Sequence, residues 1–444
     1  MVVKMMKYKK YPSYKDSGIE WLGEIPSNWN NTKIKYKAPF QVGWTPSTKD
    51  NSNFIGNNKW LTIGDLKTKI INKSSNNISN NAIKNTSMNI TPKGSLLYSF
   101  KLSVGTVAFA GENLYTNEAI ASFLKNTQTN LIYLYYAIPI FILKNATENI
   151  YGAKILNQEL IRNAILVIPK YKEQEQIANF LDKATNKIDS LIKKQNRLIE
   201  LLKEKRQALI SHTVTKGLNP NVEFKDSGVE WIGKIPKHWN RSKLGFETTV
   251  KARLGWKGLK AEEYVKKGYV FLATPNIKYN EIDFINVNFI TKDRYKESPE
   301  IMLREGDLLV TKDGSTTGTT NIVRYLLRPA TVNSSIAVIR PKKNYNSIYL
   351  YYYFISTFIQ ETIKLMKGGM GVPHLFQADL RWFDVLLPPL EEQQQIADYL
   401  DDKTSKIDKL IDKSKKSVEL LKEKREALIS SAVTGKIDVR DLEI

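Results

Sequence analysis

The chain has 444 residues, which is too long for one hydrophobic core and predicts two or more domains. With 42% hydrophobic and 25% charged residues, its composition excludes a disordered protein. Its 67 Lys and Arg against 45 Asp and Glu leave a net charge of +22. A nucleic acid partner explains this charge better than a generally basic proteome does. The absence of cysteine excludes disulfides and thiolate metal sites and is typical of a reducing cytoplasm.

The first distinctive stretch, called here the opening segment, is KDSGIEWLGEIPSNWN at residues 15–30. It returns as KDSGVEWIGKIPKHWN at residues 225–240, with eleven of the sixteen positions identical. Further matching pairs follow at offsets that rise from 211 to 219, as a duplication followed by small loop insertions predicts. This period far exceeds that of solenoid repeats, so we expect each copy to be a whole domain with an appendage.

Residues 31–170 mix short β-rich runs, such as WLTIGDLKTKII, with loops of Asn, Gly, Thr and Ser. They close with a helix rich in Tyr and Phe and a final apolar strand. We interpret them as a compact α/β domain. The tyrosine run at residues 133–136 recurs in the second copy at helical spacing, which favours a core position over a base-stacking surface.

A long heptad follows, with apolar residues at alternating steps of four and three, the pattern of a coiled coil. Pro169 precedes the helix, Glu173 lies in its first turn and KEKR lies near its end, a polarity that suits the helix dipole. A helix of about 39 residues would be roughly 58 Å long. The seam residues that we expect to be buried are Ile177, Leu181, Ile188, Leu191, Leu198 and Leu202.

Residues 241–388 repeat the domain pattern, and a second helix with the same heptad follows. Ile411 and Val418 widen the apolar stripe of this helix. The seam residues expected here are Ile396, Leu400, Ile407, Leu410, Leu421 and Leu428.

Each helix alone would expose its stripe to water, so the simplest partner for one helix is the other. The linker TKGLNPNVEFKDSG is short and starts the second domain near the end of the first helix, which favours an antiparallel over a parallel pair. Gln195 and Ser414 on the seam are either register markers or ordinary positions of the pair.

Several polar loops contain the residue types that contact DNA. Backbone amides and hydroxyls suit phosphates, whereas Arg, Lys, Asn and Asp can read base edges. For any single residue the alternative is an ordinary exposed loop position. The predicted DNA-contact residues are Lys101, Ser103, Lys154, Arg253, Trp256, Lys257, Lys312, Asp313, Ser315, Thr316, Lys367 and His374.

No catalytic or cofactor motif emerges from the sequence. GVEWIGKI at Gly228 imitates a phosphate loop, but Ile235 stands where Ser or Thr should bind magnesium. There is no dinucleotide fingerprint and no methyltransferase Asn/Asp-Pro-Pro-aromatic motif, and three scattered histidines do not predict a metal site. Without a signal peptide core or an apolar run of about 20 residues, we expect a soluble cytoplasmic protein.

Three pairs of segments carry a family resemblance: SGIEWLGEIPSNW with SGVEWIGKIPKHW, EQEQIANFLD with EEQQQIADYLD, and LLKEKRQALIS with LLKEKREALIS. With them the chain resembles the DNA-specificity subunit of a type I restriction-modification system over essentially its whole length. The resemblance implies an α+β fold, in which two α/β target-recognition domains alternate with two long helices that pair as an antiparallel coiled coil with pseudo-two-fold symmetry. The expected divisions are residues 1–170, first target-recognition domain; 171–214, first conserved helix; 215–389, second target-recognition domain; 390–434, second conserved helix; and 435–444, C-terminal tail.

The resemblance also implies a function. Each target-recognition domain would read one half of a bipartite site in double-stranded DNA, while the helices set the spacing and dock two modification subunits. The subunit itself would be no enzyme and hold no metal or cofactor; S-adenosylmethionine, ATP and magnesium are expected in the modification and restriction (motor-nuclease) subunits. A self-contained restriction-methylation enzyme would need methyltransferase motifs, and a purely structural coiled-coil protein would need no net charge of +22.

Overall fold

The computed structural model describes residues 8–126, 128–254, 259–366 and 374–442. The chain divides into two compact units, of which the first comprises Met1–Gln195 and Lys416–Ile444 and the second Asn196–Lys415. This division passes through both long helices, because each half of a helix packs on the core of its own unit. The domain boundaries expected from the sequence stay a prediction.

The first unit contains two main sheets and several short helices before the long one. Its strands are β1 (Tyr14–Asp16), β2 (Glu24–Pro26), β3 (Asn30–Lys33), β4 (Phe40–Val42), β5 (Asn58–Leu61), β6 (Ile70–Ile71), β7 (Asn76–Ile78), β8 (Leu96–Ser99), β9 (Val107–Ala110), β10 (Tyr115–Thr116), β11 (Ile120–Phe123), β12 (Thr147–Glu148), β13 (Lys154–Ile155) and β14 (Ile165–Ile168). Its helices are α1 (Ile34–Lys37), α2 (Asn80–Thr86), α3 (Leu131–Leu143), α4 (Gln158–Asn163) and the first part of α5 (Tyr171–Lys216).

A five-stranded sheet in the order β4-β11-β8-β9-β6 forms the centre of this unit, with β6 parallel to β9 and the other neighbours antiparallel. A three-stranded sheet, β10-β5-β7, forms separately, with β10 parallel to β5. Leu96 and Phe123 from the large sheet share one buried core with Tyr133 of α3 and Ile177 of α5. The sheet, the tyrosine-rich helix and the long helix are therefore consecutive layers of the core.

The second unit repeats this plan. Its strands are β15 (Phe224–Asp226), β16 (Lys234–Pro236), β17 (Asn240–Lys243), β18 (Thr248–Lys251), β19 (Tyr269–Leu272), β20 (Asn288–Ile290), β21 (Leu308–Thr311), β22 (Thr320–Ile322), β23 (Ala330–Val332), β24 (Ile336–Pro341) and β25 (Asp384–Leu387). Besides the end of α5, its helices are α6 (Leu244–Glu247), α7 (Lys292–Lys296), α8 (Ser347–Phe354), α9 (Thr357–Met366), α10 (Gln377–Arg381) and α11 (Leu390–Val433), which ends in the first unit.

The main sheet of the second unit has the order β18-β24-β21-β22 and is antiparallel throughout. A second sheet, β20-β19-β23, pairs β19 with β23 in parallel and with β20 antiparallel. Leu308 and Ile339 from the main sheet share a buried core with Tyr349 of α8 and Ile396 of α11. The tyrosine runs are thus core residues in both units, as predicted.

The repeated opening segment ties each domain to the start of a long helix. Trp29 is fully buried and donates its indole N–H to the carboxylate of Glu173 at 2.9 Å. Trp239 is also fully buried and donates to Glu392 at 2.9 Å. The identity of the two segments therefore has a structural cause: a buried indole needs a hydrogen-bond acceptor, and the first turn of the helix supplies it.

The two long helices run antiparallel within the first unit. Arg425 of α11 donates to the Asp189 carboxylate of α5 at 2.9 Å, whereas Gln176, earlier on α5, donates to the backbone carbonyl of Arg440, beyond the end of α11, at 3.2 Å. Beyond α11, the chain returns to the opening segment, where Lys436 donates to the carbonyl of Leu22 at 2.9 Å.

The second unit shows the same antiparallel order by itself. Arg206 of α5 donates to the Asp408 carboxylate of α11 at 2.9 Å. Earlier on α5, Ile199 packs in a cluster with Ile411, while later on α5 Val214 shares a core with Ile396. Rising numbers on α5 therefore meet falling numbers on α11, and the antiparallel interpretation of the short linker is confirmed.

The structure contradicts the predicted seam at three leucines. Leu191, Leu198 and Leu410 are 47%, 42% and 51% exposed. Ile199, which follows Leu198, and Ile411, which follows Leu410, are buried instead. The other predicted seam residues are buried or partly buried: Ile177, Leu181, Ile188, Leu202, Ile396, Leu400, Ile407, Leu421 and Leu428.

The physical cause of the error is the difference between the heptad and the helix. A strict heptad assumes 3.5 residues per turn, but a straight α-helix has about 3.6, so its inward face drifts by ~20° per heptad. Where two apolar residues are adjacent, as in Leu198–Ile199, this drift transfers the seam from one to the other. The leucines that do not face the partner helix are exposed apolar residues on the helix surface.

Candidate nucleic-acid interface

In the first unit, the loop between β8 and β9 presents two of the predicted contact residues. Ser99, fully buried at the end of β8, shares its hydroxyl proton between the carbonyls of Ser103 at 2.8 Å and Lys101 at 3.3 Å. Lys101 and Ser103 are themselves exposed, and the Lys101 ammonium lies 3.9 Å from the Glu118 carboxylate. A turn held from inside thus presents a cation and a hydroxyl, groups that contact phosphates and base edges.

In the second unit, the corresponding loop joins β21 to β22. Thr311 takes the place of Ser99 at the end of the strand, and its hydroxyl donates to the carbonyl of Thr316 within the loop. Ser315 and Thr316 are exposed at the tip. The same strand-end device therefore presents two hydroxyls in this unit, where the first unit presents a lysine and a serine.

Lys312 and Asp313 occupy the base of this second loop. Lys312 is only 6% exposed, and burial lowers the pKa of its ammonium. Its contact with DNA stays a prediction. Asp313 hydrogen-bonds through its carboxylate to the imidazole of His374, and the two backbones form an isolated β-bridge. Both side chains of this pair remain partly exposed, so this pair can still meet a ligand beside the loop.

Arg253, another predicted DNA contact, is also buried, and its contact with DNA stays a prediction. The residue is 2% exposed, and its guanidinium donates to the carbonyl of Val332 and to the hydroxyl of Ser298, both at 3.3 Å. The Glu297 carboxylate lies 3.9 Å away and the ring of Phe271 packs against the guanidinium. The Arg253 side chain is therefore part of the interior of the second unit, with Glu297 as its ion-pair partner.

Lys154 lies on the β12–β13 hairpin of the first unit and is ion-paired with Glu148 across the two strands. Its ammonium remains half exposed, so a phosphate could still approach it. Three further predicted contact residues lie outside the described part of the chain: Trp256, Lys257 and Lys367.

Both domains contribute to the basic charge of the chain. Residues 31–170 contain 16 Lys and Arg against 6 Asp and Glu, and residues 241–388 contain 22 against 14. In the described ranges, no group of three or more His, Asp or Glu could hold a metal ion. No helix among the same residues is long and apolar enough to cross a membrane.

The residues predicted from the sequence did not include a polar junction that ties each domain to its helix. In the first unit, the buried Tyr136 of α3 donates its hydroxyl to Asp182 of α5 at 2.5 Å and lies 3.0 Å from the hydroxyl of Thr185. Lys69, which precedes β6, donates to the same Asp182 carboxylate at 2.7 Å. One carboxylate of the long helix therefore binds both the tyrosine-rich helix α3 and the segment that precedes β6.

The second unit contains the equivalent junction. Tyr352 donates to Asp401 at 2.6 Å and lies 2.9 Å from the hydroxyl of Thr404. The cation here is Arg324, after β22, which binds Asp401 through two hydrogen bonds of 2.8 Å. A comparison of the two copies could have revealed the junction, because its Tyr, Asp and Thr are identical in both. The cations, Lys69 and Arg324, do not occupy matching positions and would have been missed.

Comparison with known proteins agrees with this architecture. Residues 26–201 and 255–420 match the family model described as Type I restriction modification DNA specificity domain. Among curated relatives, the type I restriction enzyme MjaVIII specificity subunit of Methanocaldococcus jannaschii is 23% identical over 100% of both chains. The MjaIX specificity subunit of the same organism is 25% identical over 99% of both chains.

Solved structures show the same fold at low sequence identity. A chain from work on complex assembly and conformational transition of the type I R-M system has a TM-score of 0.71 at 15% identity and covers 92% of this chain and 98% of its own. The HsdS subunit of Thermoanaerobacter tengcongensis has a TM-score of 0.53 at 14% identity, covering 93% of this chain and 98% of its own. Two domains joined by two long helices are thus a recurrent architecture.

Proposed function

The chain belongs to the family of type I restriction-modification DNA specificity proteins, and from this premise we propose that each of its units reads one half of a bipartite site in double-stranded DNA. One observation carries the proposal. The same strand-end loop recurs in both units, yet one presents Lys101 and Ser103 and the other Ser315 and Thr316. One scaffold with two different tips is what a reader of two different half-sites requires. The basic excess of both domains supplies the general attraction to phosphate.

The chain acts in this proposal as a non-catalytic subunit in the cytoplasm, where the DNA is. Methyl transfer takes place on two modification subunits, which bind S-adenosylmethionine, and cleavage takes place on restriction subunits, which use ATP and magnesium. The name specificity subunit, borne by the relatives of similar length, supports this division of labour. The role of this chain is to select the DNA and to position it for its partners.

The exposed leucines of the long helices support a docking role. In the first unit Leu191 of α5 and Leu420 of α11 are 47% and 55% exposed, and in the second unit Leu201 and Leu410 are 44% and 51% exposed. The repeat relates Leu191 to Leu410 and Leu201 to Leu420, so each unit carries the same two positions. Exposed apolar residues on a helix suit a protein partner. The same two positions, exposed in each unit, suit two copies of one partner, the modification subunit.

The long helices also suit the task of fixing the distance between two readers. A continuous helix of this length is a stiff element, and the partner helix buries its apolar stripe within each unit. We therefore propose that the spacer between the two half-sites is constant and is set by α5 and α11.

Sequencing of methylated adenines tests the proposed function. The chain is expressed with its modification subunits in a host that lacks adenine methylation, and the control omits the chain. We expect one bipartite motif with a spacer of fixed length, and no methylation in the control. A continuous motif, a variable spacer or methylation without this chain would contradict the proposal.

A further inference from the structure

Leu102, at the tip of the β8–β9 loop, combines two features that are unfavourable for a leucine. Its φ of 56° lies in the left-handed region, and 90% of it is exposed. Among the described non-glycine residues, Ser87 shares a positive φ, and it does so as the cap that ends α2. A left-handed conformation is unfavourable for a residue with a Cβ. No helix end explains this conformation at Leu102.

The second unit shows what the loop itself requires. Gly314 follows Thr311 by three positions, as Leu102 follows Ser99, and has a φ of 79°. Each loop then has a further left-handed glycine, Gly105 at 97° and Gly318 at 89°. The turn therefore needs a left-handed residue after the first strand, and the second unit meets this need with glycine. The leucine of the first unit adds a side chain that the turn does not need.

The loop holds the backbone of Leu102 in a defined place. The buried Ser99 hydroxyl binds the carbonyls on both sides of Leu102, and the Gly105 amide donates to the Ser99 carbonyl at 2.9 Å. The Val104 amide closes the tip by donating to the Leu102 carbonyl at 3.0 Å. A preorganised turn loses little backbone entropy when it binds, which favours a binding role for the side chain at its tip.

We propose that Leu102 is a specificity-determining residue that packs against the 5-methyl group of a thymine in the first half-site. The inference rests on the proposed function and names a contact within it. The thymine methyl is the apolar group that base edges present in the major groove, so it is the natural partner there for an exposed leucine at the tip of the β8–β9 loop. Lys101 and Ser103 flank Leu102 and reach the phosphates or polar base edges beside that thymine. The second unit has no side chain at Gly314 and uses the hydroxyls of its loop instead.

The first arm of the test replaces the leucine by the residue of the other copy. In the assembled complex with the modification subunits, Leu102→Gly relieves the backbone strain, so its Tm is expected to equal or exceed that of the wild type. Its methylome is expected to accept other bases at one thymine of the first half-site and to keep the second half-site unchanged. A Tm that falls together with DNA binding would show a structural role and would overturn the inference.

The second arm changes the DNA instead of the protein. Uracil in place of that thymine removes the methyl group alone and is expected to weaken binding by the wild-type complex about fourfold, the effect of one buried methyl. The Leu102→Gly complex is expected to bind the two DNAs equally. Equal uracil sensitivity in both complexes, or a first half-site without thymine, would overturn the inference.

Ile55→Ala serves as the matched control, because Ile55 is 75% exposed in the same unit but lies outside the loop. It is expected to keep the wild-type methylome and the wild-type response to uracil. A control that relaxes the same thymine would overturn the assignment to Leu102. A wild-type complex that methylates no bipartite motif would overturn the proposed function itself, which distinguishes that failure from a failure at Leu102.

Discussion

At the scale of the residue, a buried hydroxyl decides how firmly each domain holds its long helix. Tyr352 is 2% exposed, donates to Asp401 and contacts the Thr404 hydroxyl. Burial, followed by the hydrogen bond to Asp401, raises the pKa of this tyrosine, so it stays protonated and remains a donor across the neutral range. Arg324 matches the charge of the same carboxylate through two hydrogen bonds, while Tyr352 supplies a neutral donor.

Tyr352→Phe should destabilise the chain. The substitution keeps the ring but removes a hydrogen bond to a charged acceptor, which is expected to cost about 1.5–3 kcal/mol of the free energy of unfolding. Urea denaturation measures the loss. Tyr279→Phe is the control, because this tyrosine is 63% exposed and its change is expected to stay within about 0.5 kcal/mol. Similar losses in the two variants would refute the role of the junction.

At the residue scale, charge alone does not show which cations of the sequence are exposed. Arg253 and Lys312 looked like DNA contacts, because a cation in a polar loop is usually exposed. Both are buried, since other parts of the fold cover them, and the sequence does not contain that information locally. Ser315 and Thr316 are exposed, as suits a polar loop, because they lie at the tip of the turn between β21 and β22.

At the scale of the element, apolar spacing predicted both long helices but not their inward face throughout. The heptad from residue 177 lies within α5, and its repeat lies within α11. Between Leu198 and Ile199 the sequence offers two apolar candidates, and only the true helical period of about 3.6 residues chooses between them. The strand order was beyond prediction too, because parallel pairs such as β6–β9 join segments that are distant in sequence.

Neighbouring alanine substitutions in the second unit test the corrected seam. Ile199→Ala and Ile411→Ala remove buried side chains and should each cost about 2–5 kcal/mol of the free energy of unfolding. Leu198→Ala and Leu410→Ala, each one position earlier, remove exposed side chains and should cost about 0.5 kcal/mol or less. Thermal or urea unfolding of the four variants decides the matter, and a larger loss for the leucines would restore the strict heptad.

At the scale of the whole molecule, the internal repeat carried most of what could be predicted. Duplication of the opening segment, the domain pattern and the heptad predicted two similar units, and the described units do repeat one plan of sheet, tyrosine-rich helix and long helix. The tips of the loops could not be predicted in the same way. They differ between the copies. Leu102 stands out only because its φ is positive, and the sequence does not show that angle.

The proposal that one chain holds two separate readers is tested most directly by the exchange of one domain. Residues 31–168 are replaced by the matching segment of a relative with a different motif, and methylated adenines are sequenced after expression with the modification subunits. Exchange of residues 241–388 in a second variant provides the reciprocal control. If the readers are separate, each exchange alters one half-site and leaves the other half-site and the spacer unchanged. A change in both half-sites after a single exchange would contradict the proposal.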